Sequence, residues 1–130
     1  MIPRTVRECM TSAPYTVLPD MPVEVARRLM ADRRIRQIPV VENRRIVGLV
    51  FERDVLTAKA GALIRDCMRA AGLVVTSDTP LVQLVKRMAE RKAEVALVVD
   101  NDRLAGIFTT IDALDVLAAV LEDGAAQTAA

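Results

Sequence analysis

The side chains best placed to do chemistry come as a repeated pair of short motifs: GLVFERD from Gly48 to Asp54, and GIFTTID from Gly106 to Asp112. Each ends in a carboxylate, and the second adds the hydroxyls of Thr109 and Thr110. A carboxylate accepts well from two vicinal hydroxyls, while a hydroxyl beside backbone N–H groups at a helix start favours an anion. The same carboxylates also suit a helix N-cap, a role that Asp fills for about 1 kcal/mol. On the residues alone both uses of Asp54 and Asp112 stay open.

Most other chemistry is excluded. The chain has no His, and its two cysteines, Cys9 and Cys67, form no CxxC pair, so a zinc or iron site lacks its usual ligands. Nucleophilic triads fall with histidine, and no set of carboxylates, lysines and tyrosine suggests general acid and base roles, so no catalytic residue is assigned. Lys+Arg number 18 against 17 for Asp+Glu, and aromatics make up 2% of the 130 residues. Neither a basic field nor stacking faces are on offer, which argues against nucleic acid as a partner. No run approaches the roughly 20 apolar residues of a membrane span, and MIPRTVRECM lacks a signal-peptide core, so the expectation is a cytoplasmic protein without a membrane partner.

The elements that must position the two motifs are themselves duplicated. Setting Val6 against Ile64 gives an offset of 58 that runs ungapped to Leu56 against Leu114. Cys9-Met10 meets Cys67-Met68, Asp20 and Pro22 meet Asp78 and Pro80, and Val40-Val41 meets Val98-Val99. The equivalence of Cys9 and Cys67 reads as small buried apolar residues. In each copy a helical turn near Met10 or Met68 precedes a brief extended piece. A helix follows, with Asp20 or Asp78 expected at its N-cap and Pro22 or Pro80 in its first turn. Its apolar stripe is Val23, Ala26, Leu29, Met30 in one copy and Leu81, Leu84, Val85, Met88 in the other. Two β-rich runs around ENRR or DNDR then predict a hairpin, and a second helix opens at Asp54 or Asp112. The order is β-α-β-β-α, twice, an α/β (α+β) fold. The expected boundaries are 1–60 for the first repeat, 61–122 for the second, and an Ala-rich tail at 123–130, frayed after a Gly stop.

The segments CMT, VLPDMPVEVARRLM and RQIPVVENRRIVGLVFERDVL, with their second copies, make the chain resemble the CBS domain pair, or Bateman module, over about residues 4 to 121. The resemblance implies two pseudo-symmetric repeats packed as one module that binds adenine nucleotides or other adenosyl ligands in clefts built from both. It implies that the heptapeptide aspartate meets the ribose hydroxyls and that a Ser or Thr three residues before it meets phosphate. One cleft would join Thr109, Thr110 and Asp112 to Ala13, Pro14 and Tyr15 and to Arg36, Gln37, Ile38 and Pro39. There Tyr15, Ile38 and Pro39 would face adenine and Arg36 or Arg34 would supply phosphate charge. The weaker cleft would join Asp54 and Arg53 to Leu73 and Val95. It carries Phe51 where relatives prefer Ser or Thr, Leu97 in place of the strand proline, and Glu94 where many carry a cation; Arg53 and Lys92 offset this in part. The expected function is thus a non-catalytic regulatory module of the AMP, ADP, ATP and S-adenosylmethionine class. It would be a homodimer that signals to a separate, unidentified regulated protein, with no metal and no catalytic cofactor. The alternative is a ligand-free dimerisation module acting through protein contacts alone.

Overall fold

The computed structural model describes residues 2–129, with residues 126–129 described through their backbone alone. After a 3-10 turn at Val6–Glu8 come β1 (Thr11–Ser12), α1 (Val23–Arg33), β2 (Gln37–Glu42), β3 (Arg45–Phe51) and α2 (Glu52–Leu56). The second half holds α3 (Ile64–Cys67), β4 (Val74–Val75), α4 (Leu81–Arg91), β5 (Val95–Asp100), β6 (Arg103–Thr109) and α5 (Thr110–Ala129). The expected β-α-β-β-α order appears in the second repeat; in the first, the extended piece equivalent to β4 is the single Val17 bridge, and β1 lies ahead of it.

The chain divides into two compact units that cut across the sequence repeats. Unit 1 comprises Met1–Ser12, Leu73–Asp100 and Ala105–Ala130; unit 2 comprises Ala13–Gly72 and Asn101–Leu104. Each unit therefore takes the leading segment of one repeat and the body of the other. In unit 1 a four-stranded sheet runs β1-β6-β5-β4, with Thr11 opposite Ile107 and Ser12 opposite Gly106 in antiparallel register, and Val75 parallel to Val98. Unit 2 repeats the scheme around the β2-β3 hairpin. Leu49 bridges Arg69 in antiparallel sense and Val17 bridges Val40 in parallel sense, each the equivalent of a unit 1 pair at the offset of 58.

The hairpin turns put both central residues in the left-handed region: Asn43 and Arg44 at φ 52° and 66°, Asn101 and Asp102 at 52° and 61°. That is the turn geometry whose twist matches the flanking strands, and Asn tolerates it better than most residues. The helix stripes pack as their periodicity predicts. Val23, Ala26 and Met30 of α1 enter a core with Val17, Ile38, Val40, Val50, Val55 and Ile64. Leu81, Leu84 and Met88 of α4 enter another with Val6, Val98 and Phe108. Ser77, the buried polar side chain of unit 1, receives a hydrogen bond from Arg7 Nη2 at 2.6 Å and so is satisfied.

Three local expectations need correction. The N-caps of α1 and α4 are Pro22 and Pro80, without side-chain caps, rather than Asp20 and Asp78. The cause is backbone supply from the leading segments: Leu81 N–H donates to the Arg4 carbonyl and Val23 N–H to the Ala62 carbonyl, both at 2.9 Å. A first-turn donor satisfied this way needs no carboxylate. Asp54 and Asp112 lie inside the first turns of α2 and α5, two residues after their first residues, Glu52 and Thr110, rather than at the caps. Finally, α5 runs through Gly124 to Ala129. A helical glycine costs about 1 kcal/mol relative to alanine without forbidding the helix. The last residue of the expected frayed tail, Ala130, lies outside the described residues.

Candidate functional site

In unit 1 the site begins where β6 gives way to α5. Thr109 N–H donates to Asp112 Oδ2 at 2.9 Å, and Asp112 N–H donates to Thr109 Oγ1 at 3.5 Å. This is a reciprocal capping box, in which two orphan donors of the helix start are met by side chains three residues apart. Asp112 Oδ1 accepts from Thr11 Oγ1 at 3.2 Å. The carboxylate is thus aimed from two sides, half-buried, at the positive end of a long helix. Thr110 is exposed, and its N–H donates to the Glu94 carbonyl at 3.1 Å. Leu73 and Val95 are buried in the same unit, and the Leu73 carbonyl accepts from Leu97 N–H at 3.0 Å.

Below the site, Cys9 packs half-buried against the unit 1 core, its Sγ 3.6 Å from the Val6 carbonyl. Burial, with the charges of Asp112 and Glu8 adding to it, pushes its thiol up to about 11. Cys67, its counterpart in unit 2, is also raised, again mainly by burial. Both sit as small, half-buried residues against the cores of their units, with thiols raised in the direction that disfavours the thiolate.

Unit 2 holds the other expected contacts. Ala13 adopts φ 47°, and the exposed Tyr15 ring lies 5.1 Å from the Arg33 guanidinium. Arg36 is exposed and Gln37 half-buried, while Ile38 is fully buried with its side chain in the unit 2 core; the Pro39 carbonyl accepts from Val17 N–H at 3.1 Å.

Asp54 meets different company from Asp112. Arg69 Nε donates to Asp54 Oδ2 at 2.6 Å and Nη2 to Oδ1 at 2.8 Å, a bidentate pair that, chiefly through these hydrogen bonds, holds the carboxyl below its ordinary range. The Arg53 and Arg69 guanidiniums lie 4.4 and 5.7 Å from the Phe51 ring centroid. Phe51 is the N-cap residue of α2 and makes no side-chain cap.

Sequence reasoning missed Thr11 and Arg69. They are equivalent at the offset of 58, and each follows the Met that lies over a heptapeptide glycine. The signal was present in that alignment, at a position where the two copies differ in chemistry. Of the expected residues, Thr109, Thr110 and Asp112 share unit 1 with Leu73 and Val95, and Ala13 to Tyr15 and Arg36 to Pro39 share unit 2 with Asp54 and Arg53. Among the described residues no helix is long and apolar enough to cross a membrane, and no cluster of three or more His, Cys, Asp or Glu could hold a metal ion.

The repeat, the doubled β-α-β-β-α order and the paired heptapeptides define a tandem module, and the comparisons agree. A family model described as CBS domain matches residues 6–61 and again 64–119. The chain belongs to the CBS domain family. Among curated relatives, an inosine-5'-monophosphate dehydrogenase of Thermoplasma acidophilum is 32% identical over 75% of this chain but only 20% of its own length. The chain thus spans about a fifth of the length of that enzyme. Among solved structures, a Vibrio cholerae protein assigned to acetoin utilization (AcuB) is 27% identical with a TM-score of 0.84, over 94% of this chain and 95% of that one. CBSX2 in complex with AMP is 26% identical with a TM-score of 0.79, covering 94% and 99%.

Proposed function

We propose that this chain is a non-catalytic regulatory module that binds an adenine nucleotide or related adenosyl ligand at Asp112. The observation that carries the reading is the asymmetry between the two aspartates. Asp112 is oriented by Thr109 and Thr11, neutral groups, at the start of a long helix; Asp54 is bound by a guanidinium. A carboxylate so oriented suits the ribose diol, and Thr109 with Thr110 supplies hydroxyls toward phosphate. By the family resemblance Ala13, Pro14, Tyr15, Arg36, Gln37, Ile38 and Pro39 complete the proposed ligand set, with Tyr15, Ile38 and Pro39 toward adenine and Arg36 toward phosphate charge. The AMP complex of CBSX2 supports this class of ligand. Asp54, Arg53, Leu73 and Val95 form the weaker second set.

The proposed output is a change in the geometry of a homodimer, read by a separate protein in the cytoplasm. Support for a dimer comes from α5, which leaves Ile111, Leu114, Leu117 and Leu121 exposed along one stripe. Calorimetric titration with AMP, ADP, ATP and S-adenosylmethionine tests the reading. One site per chain is expected for at least one of them, and no heat with any would favour a ligand-free dimerisation module instead.

A further inference from the structure

We infer that Arg69 is the residue that closes the second adenosyl site, and that Asp54 is a latent nucleoside-binding carboxylate held shut by it. The inference rests on the reading of Asp112 as a ribose acceptor. Three of the differences between the two copies meet in space. Phe51 replaces Thr109, Arg53 replaces Ile111, and, across the strand bridge, Arg69 replaces Thr11. These are not three independent losses. Phe51 cannot cap its helix as Thr109 does, but its ring lies under both guanidiniums, at 4.4 and 5.7 Å. That platform steers Arg69, whose Nε and Nη2 each take one oxygen of Asp54, at 2.6 and 2.8 Å. In unit 1 the equivalent oxygens receive a threonine hydroxyl and a backbone N–H, groups that leave room and charge for an incoming diol. A diol reaching Asp54 has to displace a bidentate, charge-assisted pair instead, and two neutral hydroxyls are weaker partners for a carboxylate than a guanidinium.

The ligand class follows from what remains around Asp54. Its backbone scaffold is intact: the Gly48 crossing over Met68 and Arg69 reproduces that of Gly106 over Met10 and Thr11. The hydroxyl that would meet phosphate is absent at Phe51. With Arg69 reduced to the threonine of the other copy, Asp54 would accept an uncharged adenosyl group, a nucleoside rather than a nucleotide.

The test uses the full chain in an Asp112→Ala background, so that binding at the first aspartate does not mask the second, with adenosine as the probe. Asp112→Ala alone is expected to bind no adenosine by calorimetry. Adding Arg69→Thr is expected to create one site per chain, lost again on Asp54→Ala. A variant that keeps a cooperative thermal transition yet binds no adenosine overturns the inference. So does adenosine binding at Asp54 with Arg69 still in place. Failure of the underlying reading looks different: the wild-type chain would then bind no adenosyl ligand, whatever the engineered site does.

Discussion

At the scale of single residues, the site is a matter of who holds each carboxylate. The pair of Asp54 with Arg69 lowers the folded-state pKa of Asp54, so it contributes stability above the ordinary carboxylate pKa and loses it as pH falls through the lowered value. Because the Arg69 side chain is half exposed to solvent, the stability contribution of the pair is discounted by screening, and its main effect is on occupancy of the carboxylate. Cys9 gives a sharper test of the unit 1 site. Burial first and the negative charge of Asp112 next raise its thiol to about 11, so alkylation by iodoacetamide is expected to be slow near pH 8 and to accelerate only as pH climbs toward 11. Asp112→Asn should shift that profile to lower pH. A profile centred near the ordinary thiol pKa of about 8.5 would show that Cys9 is neither buried nor beside a charged Asp112.

At the scale of elements, the heptapeptide glycines hold the same chain crossing in both copies even though the two aspartates meet different partners. A Cβ at Gly106 would stand 2.6 Å from Met10 Sδ and 2.9 Å from the Thr11 carbonyl oxygen, so the chain crossing there demands glycine. Gly106→Ala is expected to destabilise by about 1–3 kcal/mol in urea unfolding and to displace Thr11 from Asp112. Gly124→Ala, where an added Cβ meets nothing within 4 Å, should stabilise instead, by up to about 1 kcal/mol. Equal effects at the two glycines would contradict the crossing. Much of this level was legible in the sequence. The stripes Val23, Ala26, Met30 and Leu81, Leu84, Met88 are legible from their spacing, and the hairpins from β-rich runs around the polar turns ENRR and DNDR, because both signals are local. The N-caps were misread, since Asp20 and Asp78 have the right chemistry but the carbonyls of Ala62 and Arg4 arrive first from segments remote in the chain. Arg69 escaped notice for the same reason: its partner Asp54 is 15 residues away and meets it only through the Leu49 bridge.

At the scale of the whole molecule, duplication has produced two copies of one scaffold with different endowments. The scaffold terms, glycine crossings, helix stripes and hairpin turns, are kept in both; the chemistry at positions 11, 51, 69 and 109 is not. The exposed stripe of α5 bears on assembly. If the chain pairs through that helix, Leu114→Glu together with Leu121→Glu should leave a folded monomer by light scattering, and an unchanged mass would remove α5 from the interface. The central claim, however, is the inequality of the two aspartates, and one titration addresses it most directly. With AMP added to the wild-type chain, to Asp112→Ala and to Asp54→Ala, the account predicts one site per chain. It predicts about tenfold or greater weakening on loss of Asp112, as expected for a charged hydrogen-bond partner, and little change on loss of Asp54. Binding that survives Asp112→Ala but disappears with Asp54→Ala would contradict it.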